Sequence, residues 1–148
     1  TQIADILKAK IKEGSFCSLC AKMRKGALNN FEKELGCNKI AYAHHKDDFI
    51  ETMLLSLLYE GQFFSFPPVK YFEEADITVI RPLIYIPEKD IIGFQNKMNL
   101  QNVKNPCPFD KNTKRESVKK LINQIQKENH QAKEKMFNAI MKGEIYQW

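Results

Sequence analysis

The spacing of apolar residues along the chain predicts a succession of short helices and strands. Apolar positions recur every three or four residues in six segments, a period typical of helices that bury one face. These predicted helices span residues 5–12, 18–35, 48–59, 87–98, 114–129 and 131–142. Short β-prone runs predict strands at residues 39–43, 69–72 and 77–80. Strands that alternate with helices indicate an α/β fold with a parallel sheet, followed here by a helical C-terminal extension.

Residues at the ends of these segments mark their limits. Gly36 and Gly61 follow helical runs, at the position where glycine commonly terminates a helix. Asp47 precedes the helix over residues 48–59 and is predicted to cap its N-terminus. Pro82 stops the third strand, because proline has no N–H to donate to a sheet. The positions predicted to face the core are Ile50, Met53, Leu54, Leu57, Leu58, Leu121, Ile122, Ile125, Met136, Phe137 and Ile140.

The length of 148 residues is that of one domain or of the larger part of one. Hydrophobic residues make up 43% and charged residues 28%, so the composition excludes a wholly disordered chain. No apolar run approaches the roughly 18 residues of a membrane helix, and no secretory signal is visible. We expect a cytoplasmic protein. The chain begins at Thr1 within a helical pattern, and we expect a natural N-terminal part to be missing.

The net charge of +5 is concentrated in the last third of the chain. Residues 1–103 carry 13 basic and 13 acidic side chains, whereas residues 104–148 carry 10 basic and 5 acidic ones. Concentrated positive charge indicates an acidic partner, most simply a nucleic acid, although a solvated lysine-rich helix face has the same pattern. The aromatic loop with Phe63, Phe64 and Phe66 adds rings of the kind that hold unpaired RNA bases. The candidate RNA-binding residues are Lys111, Lys114, Arg115, Lys119 and Lys120.

Three of the four cysteines form a candidate metal site. Cys17 and Cys20 make a C-x-x-C pair at the start of a helix, where the helix dipole and nearby cations favour thiolates. Cys107 lies between two prolines, which hold its backbone in an extended shape. Three thiolates suit an iron–sulfur cluster with one open iron, or zinc with a fourth ligand such as histidine. A thioredoxin-like redox pair and two ordinary small residues are the alternatives, and Cys37 is interpreted as a small core residue.

A second candidate site lies just after two of the predicted strands. His44, His45, Asp47 and Asp48 follow the first strand, and Arg81 follows the third. Open α/β sheets bind ligands beyond the carboxyl ends of their strands, so these side chains are expected to share one crevice. Grouped carboxylates hold Mg²⁺ against phosphates, and an arginine clamps phosphate or carboxylate groups. A helix-capping aspartate and a surface arginine are the simpler interpretations.

Five motifs in a fixed order carry a resemblance to a known family. They are Cys17-Ser-Leu-Cys-Ala-Lys-Met-Arg-Lys-Gly-Ala-Leu, Ala43-His-His-Lys-Asp-Asp-Phe-Ile-Glu-Thr, Phe66-Pro-Pro, Ile80-Arg-Pro-Leu with Glu88-Lys-Asp-Ile, and Pro106-Cys. Their order and spacing resemble the tRNA 2-thiocytidine biosynthesis (TtcA) family. Its members are PP-loop ATPases, also called N-type ATP pyrophosphatases. The resemblance implies a HUP-like parallel sheet, that of the adenine nucleotide alpha hydrolases, flanked by helices.

The resemblance implies ATP-dependent thiolation of tRNA. Enzymes of this family use Mg-ATP to adenylate the C2 oxygen of a cytidine in the anticodon loop, and sulfur then replaces that oxygen with release of AMP. The implied ligands of a [4Fe–4S] cluster are Cys17, Cys20 and Cys107. The implied catalytic residues are Asp47 and Asp48, and the implied cofactor-binding residues are His44, His45 and Arg81. The implied partners are tRNA, a sulfur donor (a cysteine desulfurase or sulfide) and a second copy in a homodimer, without a membrane.

The chain departs from the family pattern chiefly at the phosphate loop. The family's Ser-Gly-Gly-Lys-Asp-Ser loop does not occur in these 148 residues. We therefore expect residues 1–103 to be the C-terminal portion of a PP-loop ATPase domain that does not adenylate a substrate by itself. Residues 104–148 are expected to be a basic helical extension of the same unit. Two alternatives remain open: a related PP-loop thiolase acting on a uridine, and a zinc-stabilised RNA-binding module without ATPase activity.

Overall fold

The structure of the chain is a computed structural model that describes residue 3, residues 16–103, residue 107 and residues 113–145. The side chains of Phe16 and Cys17 lie outside this description, as do the predicted helix over residues 5–12 and the candidate residue Lys111. The predicted boundary between residues 103 and 104 remains a prediction.

The chain divides into two compact units, which are described separately. The first contains Thr1–Tyr42 and Val69–Ile80, and the second contains Ala43–Pro68 and Arg81–Trp148. The first unit consists of a long helix and the sheet, whereas the second is helical. The candidate residues other than the pair Cys17 and Cys20 therefore lie in the second unit.

The first unit combines helix α1 with a three-stranded sheet. Helix α1 spans Phe16–Glu34, and the strands are β1 (Lys39–Ala41), β2 (Val69–Phe72) and β3 (Ile77–Ile80). The strand order is β1-β3-β2, with β1 parallel to β3 and β2 antiparallel to it. The α/β class is confirmed, but the sheet is mixed and not wholly parallel. The reason is that only one short turn joins β2 to β3, and parallel strands need a far longer crossover.

In the first unit, the conformation of Gly36 and the burial of β3 match the predictions, but the exposure of some apolar side chains does not. Gly36 takes a left-handed conformation with φ of 64°, two residues after the end of α1, as its position in the sequence predicted. Ile77 and Val79 of β3 are buried. By contrast, Phe31 of α1 and Leu35, which follows the helix, are more than half exposed in this unit.

The second unit contains four helices. Helix α2 spans Lys46–Leu55 and continues into a π-helical turn at Ser56–Glu60. Helices α3, α4 and α5 span Glu88–Lys97, Lys114–Glu128 and Ala132–Gly143. Within the described ranges, no helix has the length and apolar character that crossing a membrane requires.

The core of the second unit forms where α2 packs against α4 and α5. Its buried members are Phe49, Ile50, Met53, Leu54, Ile84, Val118, Ile122, Phe137 and Ile140. The predicted core positions Leu58 and Leu121 are wrong, because their exposed fractions are 53% and 39%. Leu58 lies in the π-helical turn, whose wider winding breaks the 3.6-residue period. Leu121 lies beside the stripe formed by Val118 and Ile122.

Candidate functional site

The candidate site of the second unit begins at the first turn of α2. His45 has an extended backbone and precedes Lys46, the first helical residue. Its N–H donates a hydrogen bond to the carboxylate of Asp48 at 2.9 Å. The prediction that Asp47 caps α2 is therefore wrong: the helix starts two residues earlier than predicted, and Asp48 supplies the side-chain contact. Sequence alone shows two adjacent aspartates and does not distinguish their directions.

Asp47 is buried and joins three helices. One of its oxygens accepts a hydrogen bond from the N–H of Glu88, at the start of α3, at 2.7 Å. The other accepts one from Nζ of Lys133, on α5, at 2.8 Å. Burial raises the pKa of Asp47, but these two donors outweigh burial and leave the pKa below its ordinary value. Asp47 is thus an ionised tie between helices, and its catalytic role stays a prediction.

Arg115, from the first turn of α4, contacts the same side of α2. One guanidinium nitrogen donates to Glu51 at 2.9 Å and lies 3.6 Å from Asp48, and the other donates to the hydroxyl of Thr52 at 3.1 Å. The Glu51 side chain is only 6% exposed. Burial raises the pKa of Glu51, while the charge of Arg115 acts in the opposite direction. Sequence reasoning missed Glu51 and Thr52 as partners, because 64 residues separate Glu51 from Arg115.

The predicted RNA-binding cations have different surroundings in the structure. Lys119 forms an ion pair with Glu88 at 2.7 Å, so Lys119 and Arg115 both have carboxylate partners within the unit. Nζ of Lys114 lies 4.6 Å from the centre of the Tyr59 ring. Lys120 is exposed. Part of the positive charge of α4 is therefore neutralised by α2 and α3.

His44 and Arg81 lie together, as their positions after two strands predicted. Nε of Arg81 donates to Nδ1 of His44 at 3.3 Å, and a second guanidinium nitrogen donates to the carbonyl of Pro67. The Phe66 ring packs on both, 4.5 Å from the His44 ring and 4.7 Å from the guanidinium. Burial lowers the pKa of His44, and the charge of Arg81 lowers it further. His44 is therefore neutral at pH 7, with Nδ1 as the acceptor and the proton on Nε2.

The second histidine of the pair has a buried atom that lacks a hydrogen bond. Nδ1 of His45 is buried and has no hydrogen-bond partner among the described residues. Because this atom is shut off from solvent it is not an open ligand position, and the His45 side chain faces the N–H of Asp48 in the capping box of α2. This atom lies at the N-terminus of α2, where the helix dipole favours anionic groups.

The three candidate cysteine ligands fall in both units. Cys20 lies in the second turn of α1 and is half-buried, and Cys17 lies three residues earlier in the same helix. Cys107, in the second unit, is also half-buried. Among the side chains that the structure describes, no group of three or more Cys, His, Asp or Glu is spaced to hold a metal. The three-thiolate site therefore stays a prediction. The interpretation of Cys37 as a core residue is wrong, since it is exposed in the turn after α1.

Comparison with known proteins identifies the same family as the motifs. A family model described as "PP-loop domain" matches residues 3–126. The tRNA-cytidine(32) 2-sulfurtransferase of Legionella pneumophila strain Corby is 40% identical over 137 residues, which cover 91% of this chain and 48% of the relative. The enzyme of that name from Geobacter sulfurreducens is 37% identical over 139 residues, which cover 92% of this chain and 54% of the relative. The chain spans about half the length of these curated relatives.

A solved structure shares the fold. The U34-tRNA thiolase NcsA from Methanococcus maripaludis, determined with its [4Fe-4S] cluster, superposes with a TM-score of 0.69. The match covers 90% of this chain and 45% of that protein at 22% sequence identity, a level at which the likeness concerns the fold alone. Because the family model covers most of the chain and the fold agrees, this chain belongs to the PP-loop domain family.

Proposed function

We propose that the chain is part of a tRNA sulfurtransferase that uses ATP to replace the C2 oxygen of cytidine 32 with sulfur. The observation that carries the proposal is the identity of 37% to 40%, over about nine tenths of the chain, with relatives named tRNA-cytidine(32) 2-sulfurtransferase. The partner is then tRNA, and the protein acts in the cytoplasm as a homodimer supplied by a cysteine desulfurase or by sulfide.

The chemistry requires an activated oxygen, because the C2 oxygen of cytidine is a poor leaving group. Transfer of AMP from Mg-ATP to this oxygen forms a C–O–P linkage and releases pyrophosphate. A sulfur nucleophile then attacks C2, and the C–O bond breaks with AMP as the leaving group. The protein must therefore hold a nucleotide and a reactive sulfur source against one face of an RNA base.

His44, His45 and Arg81 are the residues that we assign to the nucleotide. The guanidinium of Arg81 is fixed by His44 and by the Pro67 carbonyl, so it can present its charge to a phosphate at little cost in conformational entropy. His45 lies at the N-terminus of α2, where the helix dipole favours an anionic group such as a phosphate. Neutral His44 orients the arginine without competing for the same anion.

Asp47 and Asp48 are the residues that we assign to Mg²⁺ and to catalysis. Carboxylate oxygens are the protein ligands that Mg²⁺ prefers when it bridges phosphates. The Asp48 side chain is 22% exposed and the Asp47 side chain 8% exposed, so Asp48 is the more accessible ligand. Asp47 contributes by fixing the start of α2 against α3 and α5.

Cys17, Cys20 and Cys107 are the residues that we assign to a [4Fe–4S] cluster. Three thiolates fit such a group, because they leave one iron without a protein ligand. Cys20 and Cys107 are half-buried, as thiolates that ligate a cluster near a substrate would need to be. When bound, the cluster supplies an iron site for the incoming sulfur. Cys17 and Cys20 are three residues apart at the N-terminal end of α1.

The nucleosides of cellular tRNA test the proposed reaction. Total tRNA from a strain in which the gene for this chain is deleted is digested and analysed by mass spectrometry. We expect 2-thiocytidine to disappear and to return when the gene is restored. Loss of a thiouridine in its place would favour the related thiolase acting on uridine, and an unchanged set of thionucleosides would contradict both enzymes.

Reconstitution tests the cluster separately. The chain incubated anaerobically with iron and sulfide is expected to gain a broad visible absorption, with about four irons bound for each chain. Cys20→Ala and Cys107→Ala are expected to abolish it, whereas Cys37→Ala, at an exposed cysteine of the same chain, is expected to retain it. Stoichiometric zinc without a cluster under these conditions would contradict the assignment.

A further inference from the structure

An exposed aromatic surface follows helix α2 in the second unit. Tyr59, Phe63 and Phe64, which we call the aromatic patch, have exposed fractions of 47%, 66% and 37%. Phe66, which the sequence grouped with Phe63 and Phe64, is instead packed between His44 and Phe49. The patch therefore contains one aromatic residue that the sequence did not indicate and lacks one that it did.

The backbone that carries the patch is anchored on both sides. Gly61 turns the chain with a left-handed φ of 67°, and the N–H of Gln62 donates to the carbonyl of Ser56 at 3.2 Å. On the other side, Ser65 is fully buried and its hydroxyl donates to the carbonyl of Phe49 at 3.1 Å. The exposed rings are thus held by a fixed segment, and a ligand that stacks on them pays little ordering entropy.

Helix α4 places one positive charge beside the Tyr59 ring of the patch. Nζ of Lys114 lies 4.6 Å from the centre of the Tyr59 ring. The neighbouring Glu60 carboxylate accepts a hydrogen bond from the Ser56 hydroxyl at 3.2 Å. In contrast to Arg115 and Lys119, Lys114 is in no ion pair that the structure describes. Exposed rings beside an ammonium group match a ligand that combines flat bases with phosphates.

We propose that the aromatic patch and Lys114 bind unpaired nucleotides of RNA, with bases stacked on the rings and a phosphate beside the ammonium group. This inference deepens the proposed function. It rests on that function only for the identity of the RNA, which is then the anticodon loop of the substrate tRNA. Single-stranded loops expose the base faces that such a surface needs, whereas duplex RNA buries them. A purely apolar partner would leave the Lys114 charge without a counterpart.

Binding of a short, fluorescently labelled single-stranded RNA to the chain tests the inference by anisotropy. Phe63→Ala, Phe64→Ala and Tyr59→Ala are each expected to weaken binding roughly fivefold or more, the usual range for a stacked base. Lys114→Ala is expected to weaken binding and to lower the salt dependence by about one phosphate contact. The matched duplex should bind more weakly than the single strand.

Two matched variants control for general loss of aromatic or basic residues. Phe94→Ala removes a ring on α3 that is 59% exposed, and Lys127→Ala removes an exposed lysine of α4 that is not among the candidate RNA-binding residues. Both are expected to bind RNA much as the wild type does, and all the variants should unfold at the wild-type urea midpoint. RNA binding unchanged in the three aromatic variants would overturn the inference. A second outcome would also overturn it: the aromatic variants elute as a smaller assembly in size-exclusion chromatography and keep their RNA affinity. The patch would then be a protein interface.

The outcome is separable from that of the nucleoside measurement. If deletion removes 2-thiocytidine but the aromatic variants bind RNA normally, the enzyme assignment stands and the patch is not its RNA contact. If the aromatic variants lose RNA binding but deletion leaves 2-thiocytidine in place, the RNA surface stands without the proposed reaction.

Discussion

The guanidinium of Arg115 lies 2.9 Å from the buried carboxylate of Glu51 and fastens the first turn of α4 to the middle of α2. The same guanidinium lies 3.6 Å from Asp48, the more accessible of the two candidate catalytic carboxylates. Asp48 in turn accepts a hydrogen bond from the N–H of His45. One arginine thus connects the basic C-terminal helices to the residues that we assign to the nucleotide and Mg²⁺.

Loss of Arg115 is expected to destabilise the chain. Arg115→Met leaves the Glu51 carboxylate buried without its cationic donor, and we expect a loss of about 2 to 3 kcal/mol in the free energy of unfolding, measured with urea. This expected loss is at or below the low end of the range for breaking a buried ion pair, because the Arg115 side chain is 42% exposed. Glu51→Gln is expected to cost less, since it removes the buried charge and keeps an acceptor.

Arg24→Met is the control for this prediction, because Arg24 is exposed on α1. Its effect on the free energy of unfolding is expected to stay within about 0.5 kcal/mol. If Arg115→Met changed stability no more than Arg24→Met does, the ion pair would not be what holds α4 to α2.

Asp47 is expected to make stability depend on acid pH. Its pKa in the folded chain is below the ordinary value of 3.8, so the unfolded chain binds the proton more readily than the folded one. The stabilisation is fully present above pH 3.8 and is lost as the pH falls through the folded pKa. Urea unfolding of Asp47→Asn should show a free energy of unfolding that is lower at neutral pH and that depends less on pH across this range. An unaltered dependence on pH would contradict the role given to Lys133 and to the N–H of Glu88.

His44 is expected to titrate below the ordinary histidine pKa of 6.5, because burial and the charge of Arg81 disfavour its protonated form. The titration is measured from the ring resonances in NMR spectra, assigned with His44→Gln. Arg81→Met removes a positive charge 3.3 Å from Nδ1 and should move the His44 midpoint upward. A midpoint at or above 6.5 in the wild type, or one that ignores Arg81→Met, would contradict the described pair.

Local sequence signals predicted the elements well and their partners poorly. The bounds of α1, α4 and α5 lie within two residues of those predicted, since apolar period and glycine act within one or two turns. The direction of β2 was not predicted, because it depends on the length of the connection to β3. Leu58 was misplaced because periodicity assumes an α-helix and this residue lies in a π-helical turn.

In the candidate site, too, some contacts were predicted from the sequence and others were not. The adjacency of His44 and Arg81 followed from a general property of α/β sheets, the meeting of strand ends at one edge. The Arg115–Glu51 pair has no local signal, since it depends on how α4 packs against α2. The composition of the aromatic patch was only partly foreseen, because sequence does not show which rings of a loop turn inward.

The most direct test of the account is the 2-thiocytidine content of tRNA from strains that carry single cysteine substitutions at the native gene. We predict that Cys17→Ala, Cys20→Ala and Cys107→Ala each abolish 2-thiocytidine, measured by mass spectrometry of tRNA nucleosides at wild-type protein levels. Cys37→Ala, at an exposed cysteine outside the proposed site, should leave it unchanged. Retention of 2-thiocytidine in any of the first three strains would contradict the claim that these cysteines together serve the thiolation.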